Sequence, residues 1–433
     1  MAVLDRTGKY CIVGAGSSGL AAAKNLKQHG IPFDVLEAED DVGGNWYYGK
    51  SRSSVYRSTH LISSKPLTEY TDFPMPASYP DFPGHFQVWE YLRSYARAFE
   101  LYPQIEFNTT VSHIEKADSC WEITLDRGET RRYRGVIIAN GHNCDPKYPG
   151  YPGRFEGVTL HSADYKTPEV IRGRRVLVVG AGNSGCDIAV ESAQNAARTF
   201  HSVRRGYYYV PKLFFGKPAD QIGEASLKLR IPLPIRRLIN GVLLRLVAGR
   251  PENYGLPKPD HKLFETHPIV NSQLLYYLAH GDIISKPDVE ELCGARVRFR
   301  DGSEEEIDVI IYATGFNITF PFIDKKYLNW NHHRPDLYLN VFHPQYDNLF
   351  VAGLIQPDSG QFGLVDYQAQ LIAKFIHAQD HQRPQAETFR RLKAGALPAL
   401  NNGIQYLDST RHYLEVEHFS YRRRLQKLIA KMS

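Results

Sequence analysis

Gly14, Gly16 and Gly19 stand at the spacing GxGxxG within residues 9–38, KYCIVGAGSSGLAAAKNLKQHGIPFDVLEA. Gly180, Gly182 and Gly185 repeat it within residues 175–205, RVLVVGAGNSGCDIAVESAQNAARTFHSVRR. Glycine at these places permits a tight turn, lets backbone amides approach a pyrophosphate, and allows the next helix to pack closely on its strand. In the first copy Ala15, Ser17 and Ser18 fill the turn, at a helix start whose free amides favour an anion. Glu37 closes the second strand, where a carboxylate accepts hydrogen bonds from a ribose diol. In the second copy, with Asn183 and Ser184 in its turn, the matching place holds Val203. Ser202, Arg204 and Arg205 surround it, and a hydroxyl with guanidinium groups suits a 2′-phosphate, whereas two arginines on a solvated turn is the plainer reading.

The elements that position these residues follow from local pattern. Strand Tyr10–Val13, helix Ala21–His29 and strand Phe33–Glu37 are expected around the first turn. Strand Val176–Val179, a helix to about Ala197 and strand Thr199–Val203 are expected around the second. The first unit suits the ADP part of FAD, because Asp40–Trp46 reads DDVGGNW. Its Gly44, Asn45 and Trp46 bring a glycine step and an indole that can lie near an isoalloxazine ring. The second unit suits NADPH over NADH. A strand Val309–Tyr312 runs into Ala313-Thr314-Gly315-Phe316, and Asn348–Gln370, which contains Gln368, reads strand, glycine loop, helix and would close over the flavin end.

Bulk properties narrow the classes. The chain has 433 residues, 42% hydrophobic and 23% charged, ordinary values for a globular protein of two to three domains. A net charge of +5 without a basic tract argues against nucleic acid. No apolar run approaches a bilayer span, so a cytoplasmic location is expected. The five cysteines form neither a CxxC nor a metal-ligand spacing, which points to reduced, packed thiols and closes the disulfide-reductase alternative. No metal is expected.

Between the two units lies FEGVTLHSADYK, residues 155–166, with Phe155, Gly157, His161 and Tyr165. With two GxGxxG turns, GGNW, this segment and ATGF in this order, the chain resembles the class B flavoprotein monooxygenases, and among them the flavin-containing monooxygenases. Baeyer-Villiger enzymes are similar but usually carry Trp at the place of Tyr165, and Tyr165 with GNSGCD favours the first branch without excluding ketone oxidation. The resemblance implies an α/β fold of two Rossmann-like dinucleotide-binding domains, the second inserted in the first. The expected layout is an FAD domain at 1–166 and 317–433, and an NADPH domain at 167–316 with an insertion at about 207–282. It implies reduction of FAD by NADPH, oxygen addition at the flavin, and transfer of one oxygen atom from the C4a-hydroperoxide to an amine nitrogen or a sulfide. The partners are then a small nucleophilic substrate and O2, and the chemistry belongs to the cofactor, with no general acid or base named.

His161 is expected at the domain junction, holding the two units in register. In VYRSTHLISSKP, residues 55–66, Leu61 and Ile62 stand where the family commonly has Thr-Asn facing the flavin, with Ser63 beside them. Isoleucine cannot donate a hydrogen bond, so an NADPH oxidase or redox sensor is the alternative function. In the insertion, Ile235, Leu238, Ile239, Val242 and Leu246 follow helical spacing among basic residues. Core or lid packing is the commoner reason for such a stripe, and a membrane-surface helix is the other.

Overall fold

A computed structural model describes residues 3–432. The buried run Tyr10–Val13 is the centre of a seven-stranded sheet in the order Ile105–Glu106, Phe33–Leu36, Leu4–Val13, Thr130–Ile138, Cys120–Leu125, Val111–Ala117. Leu349–Val351 adds a parallel strand on Val136–Ile138. The first strand begins at Leu4, earlier than expected, because Leu4–Arg6 continue to pair with Arg131–Tyr133 beyond a bulge. Helices Ser17–Gln28 and Phe362–Asp380 pack on one another over this sheet, so the late segment does return to the first unit.

The second sheet is wholly parallel, in the order Ile283–Lys286, Arg198–Ser202, Arg175–Val179, Val309–Tyr312, Val158–His161. Its central strands Arg175–Val179 and Val309–Tyr312 are short, buried, β-branched runs, as the middle of a sheet covered on both faces requires. Here the expected boundary at 166 needs correction: Val158–His161 is an edge strand of the second sheet, and Gly153–Phe155 pairs with Leu292–Gly294 in a neighbouring four-stranded sheet. FEGVTLHSADYK is therefore woven into the second unit and is no free linker. The two chain crossings between the units, Asp145–Pro146 and Phe316–Asn317, pair with each other as a short antiparallel ribbon.

The insertion carries helices Ala219–Lys228, Leu233–Ala248 and Leu274–His280. The stripe helix forms as the periodicity predicts, but it is turned the other way. Ile235, Leu238, Ile239, Val242 and Leu246 face solvent, Leu238 being 68% and Leu246 79% exposed, so packing against the core or under a lid is not what the stripe does. No helix among the described residues is long and apolar enough to cross a membrane.

Candidate cofactor and substrate site

Each glycine of the first turn has its own reason. Gly14 has φ +102°, and a Cβ there would come within 2.8 Å of the Ala139 carbonyl oxygen. At Gly19 a Cβ would lie 1.8 Å from the Gly14 carbonyl oxygen, so helix and strand could not approach. Gly16 is different: its backbone is extended and a Cβ would meet nothing closer than Gly44 Cα at 3.5 Å. The space above it is open. Gly44, at φ +53°, faces it from the GGNW segment. The helix starting at Ser17 has no side-chain cap, which leaves its first amides free for an anion. Glu37 is buried and accepts from the amides of Ala15 at 2.5 Å and Glu39 at 2.9 Å. Burial raises its pKa, and those two amides oppose the rise.

Around this turn, Trp46 packs edge-on against Phe362 with 6.4 Å between ring centroids. The Asn45 side-chain carbonyl accepts from the amide and hydroxyl of Ser54. Thr314 donates its hydroxyl to the Lys147 carbonyl, bridging the chain crossings. Gln368, read from sequence as a cofactor contact, is turned inward. Its carbonyl accepts from the Gly353 amide at 2.9 Å and its amide donates to Tyr421 Oη at 2.8 Å. That fixes the Gly353 loop, whose glycine is required because a Cβ would sit 2.1 Å from Ser18 Oγ.

The second turn repeats the geometry. Gly180 has φ +118° with a Cβ position 2.4 Å from the Ala313 carbonyl oxygen, and a Gly185 Cβ would lie 1.9 Å from the Gly180 carbonyl oxygen. Gly182 is again open. The nearest atom to its Cβ position is Arg411 Nη2 at 3.9 Å, a cation that no motif announced. Asn183 accepts from the Val270 amide at 2.7 Å and donates to the Pro268 carbonyl at 3.1 Å, tying the helix start, which includes Ser184, to the insertion. Of the three expected 2′-phosphate contacts, Ser202 is spent: it is buried and donates to the Pro287 carbonyl at 2.8 Å. Arg205 is held by Asp260 at 2.7 Å. Arg204 is exposed, with no ion pair among the described residues.

At the junction, a Cβ on Gly157 would meet the Asp308 carbonyl oxygen and the Phe155 ring, both at 2.6 Å. His161 is fully buried between the rings of Tyr148 and Phe316, 5.4 and 5.1 Å away, residues that flank the two chain crossings. Its Nδ1 accepts from the Ala163 amide, and burial pulls its pKa below the ordinary value. Tyr165 donates to Glu191 on the helix of the second turn and packs against Tyr56 of the first unit.

A cavity of about 190 Å3 opens where three regions meet: Ile62, Ser63 and Leu67 from the first unit, Pro357–Ser359 from the late segment, and the insertion. Leu61 lies behind this wall, buried, and its carbonyl accepts from Lys212 Nζ at 3.2 Å. Burial lowers the Lys212 pKa while Asp187 opposes that. Asp187, on the helix of the second turn, accepts from Tyr56 Oη at 3.2 Å and Asn271 Nδ2 at 2.7 Å, joining the second unit to the first unit and the insertion. Asp220, at the start of helix Ala219–Lys228, accepts from the Ser64 amide at 2.7 Å and Ser64 Oγ at 3.0 Å, which fastens the insertion beside Ile62 and Ser63. Lys212, Asp220 and Arg411 carry no motif, and only folding brings them to the site.

The sequence of residues 7–427 matches the model of the family described as flavin-binding monooxygenase-like. Human flavin-containing monooxygenase 5 is 31% identical over 444 residues, covering 97% of this chain and 82% of the relative. Dimethylaniline monooxygenase [N-oxide-forming] 2 of Oryctolagus cuniculus is 32% identical over 385 residues, covering 84% and 72%. Among solved structures, cyclohexanone-bound cyclohexanone monooxygenase superposes with TM-score 0.73 at 20% identity, covering 98% of both chains. The S-allyl-L-cysteine S-oxygenase of Allium sativum does so with TM-score 0.67 at 19% identity, covering 99% of this chain and 90% of that one. These two likenesses concern the fold. Two glycine cradles, each following a strand flanked by parallel neighbours, with the family match along nearly the whole length, show that the chain belongs to the flavin-binding monooxygenase-like family, as an FAD- and NADPH-dependent monooxygenase.

Proposed function

We propose that the protein inserts one oxygen atom from O2 into soft nucleophiles, an amine nitrogen or a sulfide sulfur. The observation that carries this reading is the cavity at Ile62 and Ser63, roofed by the insertion and walled by the late segment. When bound, FAD takes a hydride from NADPH and activates O2. The remaining work is binding, orientation and exclusion of water. In this reading Gly14, Gly16 and Gly19 seat the FAD pyrophosphate on free amides, and Glu37 takes the ribose diol in place of one of its present amide partners. Gly180, Gly182 and Gly185 seat the NADPH pyrophosphate with Arg411 beside it, and Arg204 takes the 2′-phosphate. His161 keeps the crossings in register, and Asp220 holds the roof on the Ile62 wall.

Oxygenation is tested with the FAD-loaded protein, NADPH, a simple aryl methyl sulfide and 18O2. One 18O atom in the sulfoxide, with NADPH consumed in near-equal amount, is the expected result. Complete conversion of O2 to peroxide with every nucleophile would overturn it. That outcome is the second reading, an NADPH oxidase, which Ile62 favours because its side chain offers no donor at the cavity wall.

A further inference from the structure

The helix bearing the exposed stripe is turned so that Ile235, Leu238, Ile239, Val242 and Leu246 face water, while Arg236 shares the inward face with Leu244 and lines the cavity. Arg236 is only 6% exposed. Its guanidinium makes neither an ion pair nor a hydrogen bond among the described residues, and Nε is fully enclosed. A buried cation without a partner is costly, and such groups persist where a ligand completes them. The guanidinium lies over the Phe264 ring, with 5.1 Å from its carbon to the ring centroid. Phe264 itself has φ +76°, a strained conformation for a bulky residue and one that recurs at ligand clamps.

Three carboxylates stand nearby, so the sign of the missing ligand must be argued. Glu417 is occupied in capping helix His418–Lys431, accepting from the Phe419 and Ser420 amides. Glu415 lies 3.0 Å from the His267 ring, a charge pair only when His267 is protonated, and neither of its oxygens accepts a hydrogen bond among the described residues. Asp358, which lines the same cavity, accepts from the His418 amide at 2.8 Å, and burial with its acidic neighbours raises its pKa to about 7, so near neutrality it carries only part of a charge. Asp358 and Glu417 accept from backbone amides and Glu415 faces the His267 ring, whereas the Arg236 guanidinium, a charge neighbour of Asp358, makes no hydrogen bond or ion pair among the described residues.

We propose that Arg236 receives the carboxylate of the substrate, so that the preferred nucleophiles are thioethers or amines carrying a carboxylate a few bonds from the reacting atom. The planar fork matches a carboxylate in two parallel hydrogen bonds, with Phe264 beneath it. The substrate's sulfur or nitrogen then extends along the cavity towards Ile62 and Ser63, a direction that rests on the oxygenation reading above.

The experiment compares 3-(methylthio)propanoate with its uncharged amide, by equilibrium dialysis against the FAD-loaded protein and then by sulfoxide formation. The acid is expected to bind at least about tenfold more tightly, equivalent to about 1.4 kcal/mol. In Arg236→Met the two ligands should bind within about twofold of each other, whereas Arg236→Lys, which keeps the charge but not the fork, should retain part of the preference. Flavin content and Tm establish that each variant is folded. Equal binding of acid and amide to the unmutated protein, survival of the full preference in Arg236→Met, or tighter binding of 2-(methylthio)ethylamine than of the acid would each overturn the assignment. Tight binding of the acid with no sulfoxide from any ligand would instead sink the oxygenation reading and leave the carboxylate site standing.

Discussion

The smallest decisive difference in the molecule is between glycines that need no side chain for packing and glycines that need none for a ligand. Gly19 and Gly185 would each place a Cβ within 2 Å of a carbonyl oxygen, so Gly185→Ala should damage the fold of the second unit itself, read as a lowered Tm with and without NADPH. Gly16→Val should instead leave a folded but colourless protein, because its side chain would fill the open space and nothing else. A yellow Gly16→Val protein would refute the cradle. Arg204→Ala should raise KM for NADPH by roughly ten- to a hundredfold, since charge-assisted hydrogen bonds contribute about 1.5–3 kcal/mol, with NADH little affected. Equal losses for both cofactors would make Arg204 a bystander. These residues were legible from sequence because glycine spacing encodes local geometry. Ser202 and Gln368 were not, because what a hydroxyl or an amide bonds to depends on partners far along the chain, Pro287 and Tyr421.

For whole elements, periodicity shows that a helix has an apolar face but not which way that face is turned. Leu233–Ala248 was legible as a helix, and its orientation was not, because only the cavity beneath it gives Arg236 a reason to point inward. The consequence is measurable. Replacing exposed Leu238 and Leu246 together by Ser should change stability by no more than about 0.5 kcal/mol per site, whereas Leu244→Ala, at a buried place on the same helix, should cost about 2 kcal/mol or more. Chemical denaturation of the three proteins decides it, and a large loss from the outer pair would mean that the stripe packs after all. The motif FEGVTLHSADYK was likewise legible as important and illegible as structure. Its strand Val158–His161 is recognised only by its partner Val309–Tyr312, well over a hundred residues later.

Across the whole molecule, the regions that meet at the cavity are covalently distant and held together by few polar contacts, so titration there is felt as stability of the assembly. Asp358, from the late segment, touches the helix that begins at His418 and faces Arg236 of the insertion across the cavity. Its carboxyl titrates near 7 in the folded protein against an ordinary 3.8, burial being the main cause and Glu417 the next. The folded state therefore holds this proton more tightly than the unfolded chain does. Between about pH 4 and pH 7 the unfolded chain has lost it and the folded protein has not, so this group's contribution declines as pH rises, and the whole penalty is present above pH 7. Asp358→Asn keeps an oxygen for the His418 amide and removes the titration. The variant should match the unmutated protein at pH 4 and exceed it in Tm at pH 8, with the gap opening across that window. Groups remote from Asp358 cancel in the difference, and relief of the charge repulsion on its acidic neighbours Glu417 and Glu415 adds to the same gap. A Tm difference that is the same at pH 4 and pH 8 would mean that Asp358 ionises normally in the folded protein. In that case the cavity floor carries a full negative charge opposite Arg236, and the argument for an anionic substrate loses its electrostatic support.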